Sequence, residues 1–330
     1  MTPSQAVDLL VLVPFAGALF IALAGRSVPG AARMIAAATL VATAALAVYA
    51  YSGTGPAGDA LSGRLLGPYA PGIWETSLDG LSGSMVALSL AVSALALVAA
   101  WGEDRSPVLH HTLLMLLLGA VNGVFVADSL VLFYVSWEAV LIPLYLLIGR
   151  WGSADSRRAA VKFLVFSFAG GAVLLVGVVF AYLTTRTTSI SAVAEGLTPV
   201  GGTLLFWLLA VGMLVKLPAV GLHTWLPDAH TEAPTAGSIV LAGVLLKLGG
   251  YGLMRIAAPF APEGFVAAQS ALAVLGIIGV AWGGGCALVQ SDLKRLVAYS
   301  SVAHMGFVLL AVAAATPLSW SAAVVTMVSH

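Results

Sequence analysis

The sequence predicts an all-α fold, a polytopic bundle of transmembrane helices, and three observations predict it. Hydrophobic residues make up 60% of the 330 and charged residues only 8%, where a soluble domain carries roughly a quarter charged residues; mean hydropathy is +1.04. The apolar residues gather in runs of about 20, the length one helix needs to cross a bilayer. Those runs lack the period-two alternation of a barrel strand, so their backbone groups must be satisfied within helices.

Taken in chain order, such runs lie near 7–25, 31–51, 80–101, 109–127, 129–149, 161–183, 201–220, 236–258, 266–288 and 293–315. The first carries Asp8 at its start and has Arg26 behind it. That is the reverse of a basic signal-peptide region, so the run is a first span and not a cleaved leader. Asp128 stands where an interfacial cap is expected. An eleventh run starts near Leu318 and reaches His330 after too few residues to cross. The sequence therefore reads as C-terminally truncated, about 11 helices of a longer protein. Gly283, Gly284 and Gly285 sit inside an apolar run without a following Lys-Ser/Thr, which suits close helix packing and not phosphate binding.

Basic residues set the orientation. With the N-terminus outside, Arg26, Arg33, Arg105, Arg150, Arg157, Arg158, Lys162, Lys294 and Arg295 fall at inner ends, and only Arg64, Arg186 and Arg255 at outer ones. The positive-inside rule favours that arrangement. A formal net charge of zero gives no support to nucleic-acid binding. The single cysteine, Cys286, can neither form an intrachain disulfide nor supply the four thiolates of a typical iron–sulfur cluster.

Three ionisable residues fall inside runs. Glu138 and Lys247 are near the middle of theirs, and Lys216 lies toward the inner part of its own. A charge at a helix centre costs about 2.5–3.5 kcal/mol on insertion scales, so such groups turn toward a hydrated interior and toward one another. A structural ion pair between helices is the plain reading of one such pair; three groups with mid-span histidines favour proton transfer. His304 is central in its run and His330 lies in the incomplete last one, and imidazole titrates near neutrality.

The most informative segment is KLPAVGLHTWLPDAHTEAP, 216–234. Pro218, Pro227 and Pro234 each lack a backbone donor, and Pro218 directly follows the lysine by two residues, so the helix is expected to break there and admit polar groups at membrane depth. His223 would share a face with Lys216 if the helix continued. Asp228, His230 and Glu232 would line the inner mouth. The spacing of His223, Asp228 and His230 matches no zinc motif, so no metal site is assigned. Trp137, Trp151, Trp225 and Tyr134 suit packing or the interface. Arg157, Arg158 and Lys162 suit simple inner-side anchors.

SWEAVLIPLYLLIGRWG (136–152), KLPAVGLHTWLPDAHTEAPTAGSIVLAGVLLKLGGYG (216–252) and SDLKRLVAYSSVAHMG (291–306) resemble the proton-conducting antiporter-like membrane subunits of NADH-quinone oxidoreductase, respiratory complex I. Within that family the form HTWLPDAHTEAPTAGS followed by LLKLGGYG resembles subunit M more than its sisters L and N. Mrp-type cation/proton antiporter subunits share much of the block and remain the alternative, beside a non-conducting remnant. The resemblance implies fourteen helices with two inverted five-helix repeats, each with a broken helix, here near 201–232. It divides the chain into N-terminal helices over 1–107, a first repeat over 108–260 and an incomplete second repeat over 261–330. It implies that Glu138 tunes Lys216, that protons pass on toward Lys247, and that His223, His304 and His330 occupy polar positions on the path. It also implies a multi-pass subunit of the bacterial inner membrane and of a proton-translocating enzyme. Subunits L and N would be its neighbours, and flavin, iron–sulfur clusters and quinone would sit in partner chains with no cofactor in this one.

Overall fold

The computed structural model describes residues 1–25, 30–54, 60–63, 65–66, 69–194 and 202–330; Arg26 and Arg64, two of the orienting charges, lie outside the described residues. Among the described residues, nine helices are long and apolar enough to cross a membrane. They are α1 (Pro3–Ala24), α2 (Ala31–Tyr51), α3 (Gly80–Ala99), α4 (Pro107–Val126), α5–α6 (Leu130–Ala139 and Leu141–Trp151), α7 (Ser156–Thr185), the Thr235–Phe260 span, α14 (Pro262–Leu288) and α15 (Leu293–Ala313). The short helix α8 (Ile190–Ala194) follows α7. Two shorter apolar helices, α9 (Gly202–Lys216) and α16 (Pro317–Ser329), complete the set. The chain is a multi-pass membrane protein of all-α class. Its described strands are one two-residue pair, β1 (Leu61–Ser62) against β2 (Ser77–Leu78), antiparallel with Leu61 opposite Leu78.

Helix starts follow local chemistry. Thr2, Asp79 and Thr316 each cap a helix through a reciprocal side-chain box, satisfying amides that have no partner within the helix. At the start of α5 the cap is Ser129, whose Oγ accepts from the Val131 amide at 3.2 Å. Asp128, the expected cap, is buried instead, and its own amide donates to the Glu75 carbonyl at 2.8 Å. The next span is not continuous: the helix is interrupted at Val140. Pro143 lacks the amide that would bond the Ala139 carbonyl four residues back. Half-buried Glu138 sits five residues before that proline.

The chain divides into two compact units, the first made of Met1–Trp151 with Pro234–Val240, the second of Gly152–Ala233 with Leu241–His330. In the first, α1 packs on α2 and α4. Asn122 of α4 bonds Ser89 of α3 and donates to the Leu10 carbonyl of α1 at 3.0 Å, a buried polar clasp between three helices. At one end of the unit, fully buried Asp8 accepts from the Leu65 amide at 2.6 Å, the Trp74 indole at 2.8 Å and the Thr76 hydroxyl at 2.7 Å. At the other, Arg33 pairs with Asp104, Arg150 reaches Ser106 at 3.1 Å, and the Trp151 indole donates to the Arg105 carbonyl at 2.8 Å.

In the second unit α7 packs on α9, and α14 packs on α15. The α14–α15 approach depends on glycines: a Cβ on Gly283 would lie 2.6 Å from the Ala303 nitrogen, and one on Gly276 2.9 Å from the Gly306 carbonyl oxygen. Gly284 and Gly285 face open space. Of the three consecutive glycines, only Gly283 is demanded by packing.

Asp8→Ala removes the acceptor for three donors, two from side chains and one from the backbone. Hydrogen bonds to a charged group contribute about 1.5–3 kcal/mol each. Thermal unfolding of the purified protein will show a lowered midpoint for Asp8→Ala and a smaller drop for Asp8→Asn, which keeps one acceptor oxygen.

Candidate functional site

Helix α9 ends at Lys216, and the chain resumes as α10 (Trp225–Glu232). The predicted break is present, so the face that Lys216 and His223 would share in a continuous helix does not form. Two backbone bonds close α9, from the Leu217 amide to the Met213 carbonyl at 2.8 Å and from the Ala219 amide to the Leu214 carbonyl at 3.0 Å. The Val215 carbonyl then takes the Trp225 indole N–H at 3.0 Å. Fully buried Trp225 is thus more than packing: it satisfies a carbonyl that the break leaves over. Lys216, 1% exposed, stands at the carbonyl end of a half-helix, where the helix dipole favours a cation.

Helix α10 is tied to its surroundings by charge. Lys162 of α7 pairs with Asp228 at 2.6 Å, and Arg295 of α15 lies 3.5 Å from the other oxygen of that carboxylate. These groups are about a third exposed, so the pairs orient more than they stabilise. Glu232 accepts from the Ser153 hydroxyl at 2.9 Å and the Asp155 amide at 3.0 Å. Lys294 donates to the Thr231 and Ala233 carbonyls at 3.2 and 2.8 Å, a cation at the negative end of α10. Lys162, expected as a plain anchor, is therefore a partner of the broken helix. His223 is buried within the break, its Nδ1 accepting from the Gly221 amide at 3.2 Å and its ring edge-on to Tyr299.

The Thr235–Phe260 span holds an irregularity that the sequence did not announce. It runs as α11 (Thr235–Val240), a π-helical stretch (Leu241–Leu245), α12 (Leu246–Gly252), a second π-helical stretch (Leu253–Ala257) and α13 (Ala258–Phe260). Widening a helix to i→i+5 bonds shifts the carbonyl register by one residue, and such turns concentrate at functional sites. Lys247, fully buried, lies between the two. Its Nζ donates to the Ala242 carbonyl in the first π-helical stretch and to His330 Nδ1 at 2.8 Å. His330 Nε2 meets the Ser301 hydroxyl at 3.1 Å. The His304 ring lies 5.2 Å from that of His330, with its Nδ1 bonded to the Ser300 carbonyl at 2.8 Å.

Of the candidate residues, Lys247, His304 and His330 are brought into one cluster. Lys216 ends α9 and His223 lies within the break that follows, and Glu138 belongs to the other unit. Ser301 and the Ala242 carbonyl were not singled out from sequence. The Gly249-Gly250-Tyr251-Gly252 stretch carries a signal that could have located the contact. A Cβ at Gly249 would lie 2.6 Å from the Leu217 nitrogen, and one at Gly252 3.0 Å from Met213 Cγ. Glycine lets α12, which carries Lys247, approach the end of α9, which carries Lys216.

A half-helix ending on a buried lysine and a widened helix sealing a second define a membrane protein built to hold ionisable groups inside the bilayer. Residues 127–330 match the family described as NADH:quinone oxidoreductase/Mrp antiporter, TM. The chain belongs to that family. It is 44% identical over 262 residues to NAD(P)H-quinone oxidoreductase chain 4 3 of Trichormus variabilis, covering 78% of this chain and 48% of the relative. Similarity to NAD(P)H-quinone oxidoreductase chain 4 1 of Nostoc sp. has the same identity and coverage. The chain spans about half the length of these curated relatives. Among solved structures, a chain of respiratory complex I from Thermus thermophilus with bound NADH superposes with a TM-score of 0.83 at 30% identity, over 98% of this chain and 68% of that one. A chain of the Mrp complex from Dietzia sp. DQ12-45-1b gives 0.84 at 23% identity, over 100% and 62%, a likeness of fold. Identity to the quinone oxidoreductase chains supports the complex I side of the family.

Gly249→Ala and Gly284→Ala make opposite predictions for the same change. At Gly249 the new methyl meets backbone, and overpacking of this kind costs about 1–3 kcal/mol; at Gly284 it meets nothing. Thermal unfolding will show a clear loss for Gly249→Ala and none for Gly284→Ala.

Proposed function

We propose that this chain translocates protons as an antiporter-like membrane subunit of a proton-pumping NADH:quinone oxidoreductase. The single observation that carries the reading is the Lys247 ammonium, fully buried and bonded to the imidazole of His330, with His304 beside it. A buried amine in contact with an imidazole can exchange a proton without crossing apolar space: the proton leaves Lys247 Nζ for His330 Nδ1, giving a neutral amine and an imidazolium. In this reading Glu138 and Lys216 are the input-side pair, and His223 belongs to the path between Lys216 and Lys247. A charge change at one buried group alters the proton affinity of the next, which is how a remote redox event drives the movement.

The redox chemistry belongs to partner subunits. Flavin, iron–sulfur clusters and quinone are assigned there in this reading. The translocase is thus the whole complex, with sister subunits such as L and N as membrane-arm neighbours. In this reading the protein resides in a bacterial inner membrane with its N-terminus outside, the orientation its basic residues favour.

The shared family description favours one second reading, a subunit of an Mrp-type cation/proton antiporter. Copurification separates the two: NADH-oxidising arm subunits support the first, and small antiporter subunits without redox partners support the second.

In the full-length protein within its assembled complex, Lys216→Ala, Lys247→Ala and Glu138→Gln will each lower NADH-driven proton uptake into vesicles at least about ten-fold. Parental pumping by an assembled Lys247→Ala complex would overturn the assignment of that lysine.

A further inference from the structure

The line of hydrogen bonds through His330 ends on a residue with no assigned role. We propose that Ser301 is a positioning residue for proton transfer: its hydroxyl fixes the tautomer of His330 so that the nitrogen facing Lys247 is the one able to accept a proton. The inference rests on the proton-conducting reading given above.

With Lys247 charged, one arrangement satisfies every contact on the line. A lysine ammonium has only donors, so the atom it meets at 2.8 Å, His330 Nδ1, must present a lone pair. In neutral imidazole the proton then sits on Nε2, which points at Ser301 Oγ, 3.1 Å away. Ser301 is 1% exposed, and its own proton goes to the Val297 carbonyl one turn back in α15, at 3.1 Å. Its oxygen is therefore left as an acceptor for the Nε2–H. Every polar group on the line is paired: Ala242 carbonyl, Lys247, His330, Ser301, Val297 carbonyl.

The arrangement also holds after transfer. When the Lys247 proton moves to Nδ1, the imidazolium carries hydrogens on both nitrogens, and Ser301 still accepts from Nε2 without turning. No hydroxyl needs to reorient during the step. Without the hydroxyl, the Nε2–H is buried with no acceptor, and the balance moves to the other tautomer, whose Nδ1–H opposes the lysine. The groups that face His330 and share its electrostatics are Lys247 from α12, His304 from α15 and His230 from α10, so the effect is read as a change relative to the parent with those three intact.

The test compares Ser301→Ala and Lys247→Ala in the full-length, assembled complex, measuring proton uptake by vesicles against pH. Ser301→Ala is expected to slow pumping at least about five-fold and to displace its pH profile, the consequence of a buried donor left unpaired. Ser301→Thr and Ser301→Val add the same bulk, but only threonine keeps an acceptor oxygen. Threonine is expected to pump faster than valine and to restore the parental profile, and this pair decides the matter should the alanine variant fail to assemble. Parental rate and profile in Ser301→Ala, or equal rates for threonine and valine, would overturn the role of Ser301 while Lys247→Ala remained inactive. Normal pumping by Lys247→Ala would overturn the conducting reading and this inference together.

Discussion

Inside a bilayer there is no water to solvate a charge, so a protein that places one there must supply the polar partners itself. A regular helix cannot do so, because its backbone groups are already bonded to one another. Irregular turns of this chain fall beside Glu138, Lys216 and Lys247. The α5–α6 interruption follows Glu138 by two residues, α9 stops on Lys216, and π-helical stretches precede and follow Lys247. At Lys247 the relation is direct, since the ammonium is held by the Ala242 carbonyl of the widened turn. The irregularity and the charge are one feature.

The rest of the second unit serves that constraint. A broken helix exposes carbonyls, and each one needs a donor. Trp225 supplies one from within, and Lys294 supplies others at the far end of α10. Asp228 and Glu232 tether α10 to Lys162, Arg295, Ser153 and Asp155. These contacts are partly solvated and individually weak, which suits an element that must be held in place without being sealed. Glycine supplies the remaining condition, close approach: Gly249 and Gly252 let the lysine-bearing helix reach α9 where side chains would keep it away.

Much of this was legible in the sequence because hydropathy records burial. The spanning runs, the break after Lys216 and the three ionisable positions followed from composition, proline placement and the energetics of charge in lipid. The π-helical stretches were not legible, since inserting one residue into a helical turn leaves an apolar run apolar. The Val140 interruption could have been read from Pro143, yet a proline within a span often bends the helix without dividing it. Gly283 differs from Gly284 and Gly285 only in the face it presents, which composition cannot register. Ser301 was hidden for a related reason: serine in a membrane helix ordinarily bonds back to its own backbone, as this one does with its proton. Its lone pair acquires a purpose only once His330 is placed against it.

In the proposed relay a proton resides in turn on Lys247 and His330. Infrared difference spectroscopy of the assembled, full-length complex, with ring-labelled histidine and with turnover started by NADH, observes that exchange directly. A histidine band is expected to convert from neutral imidazole with the proton on Nε2 to imidazolium, and to be absent when His330 is replaced by glutamine. A spectrum in which His330 keeps one protonation state throughout turnover would contradict it.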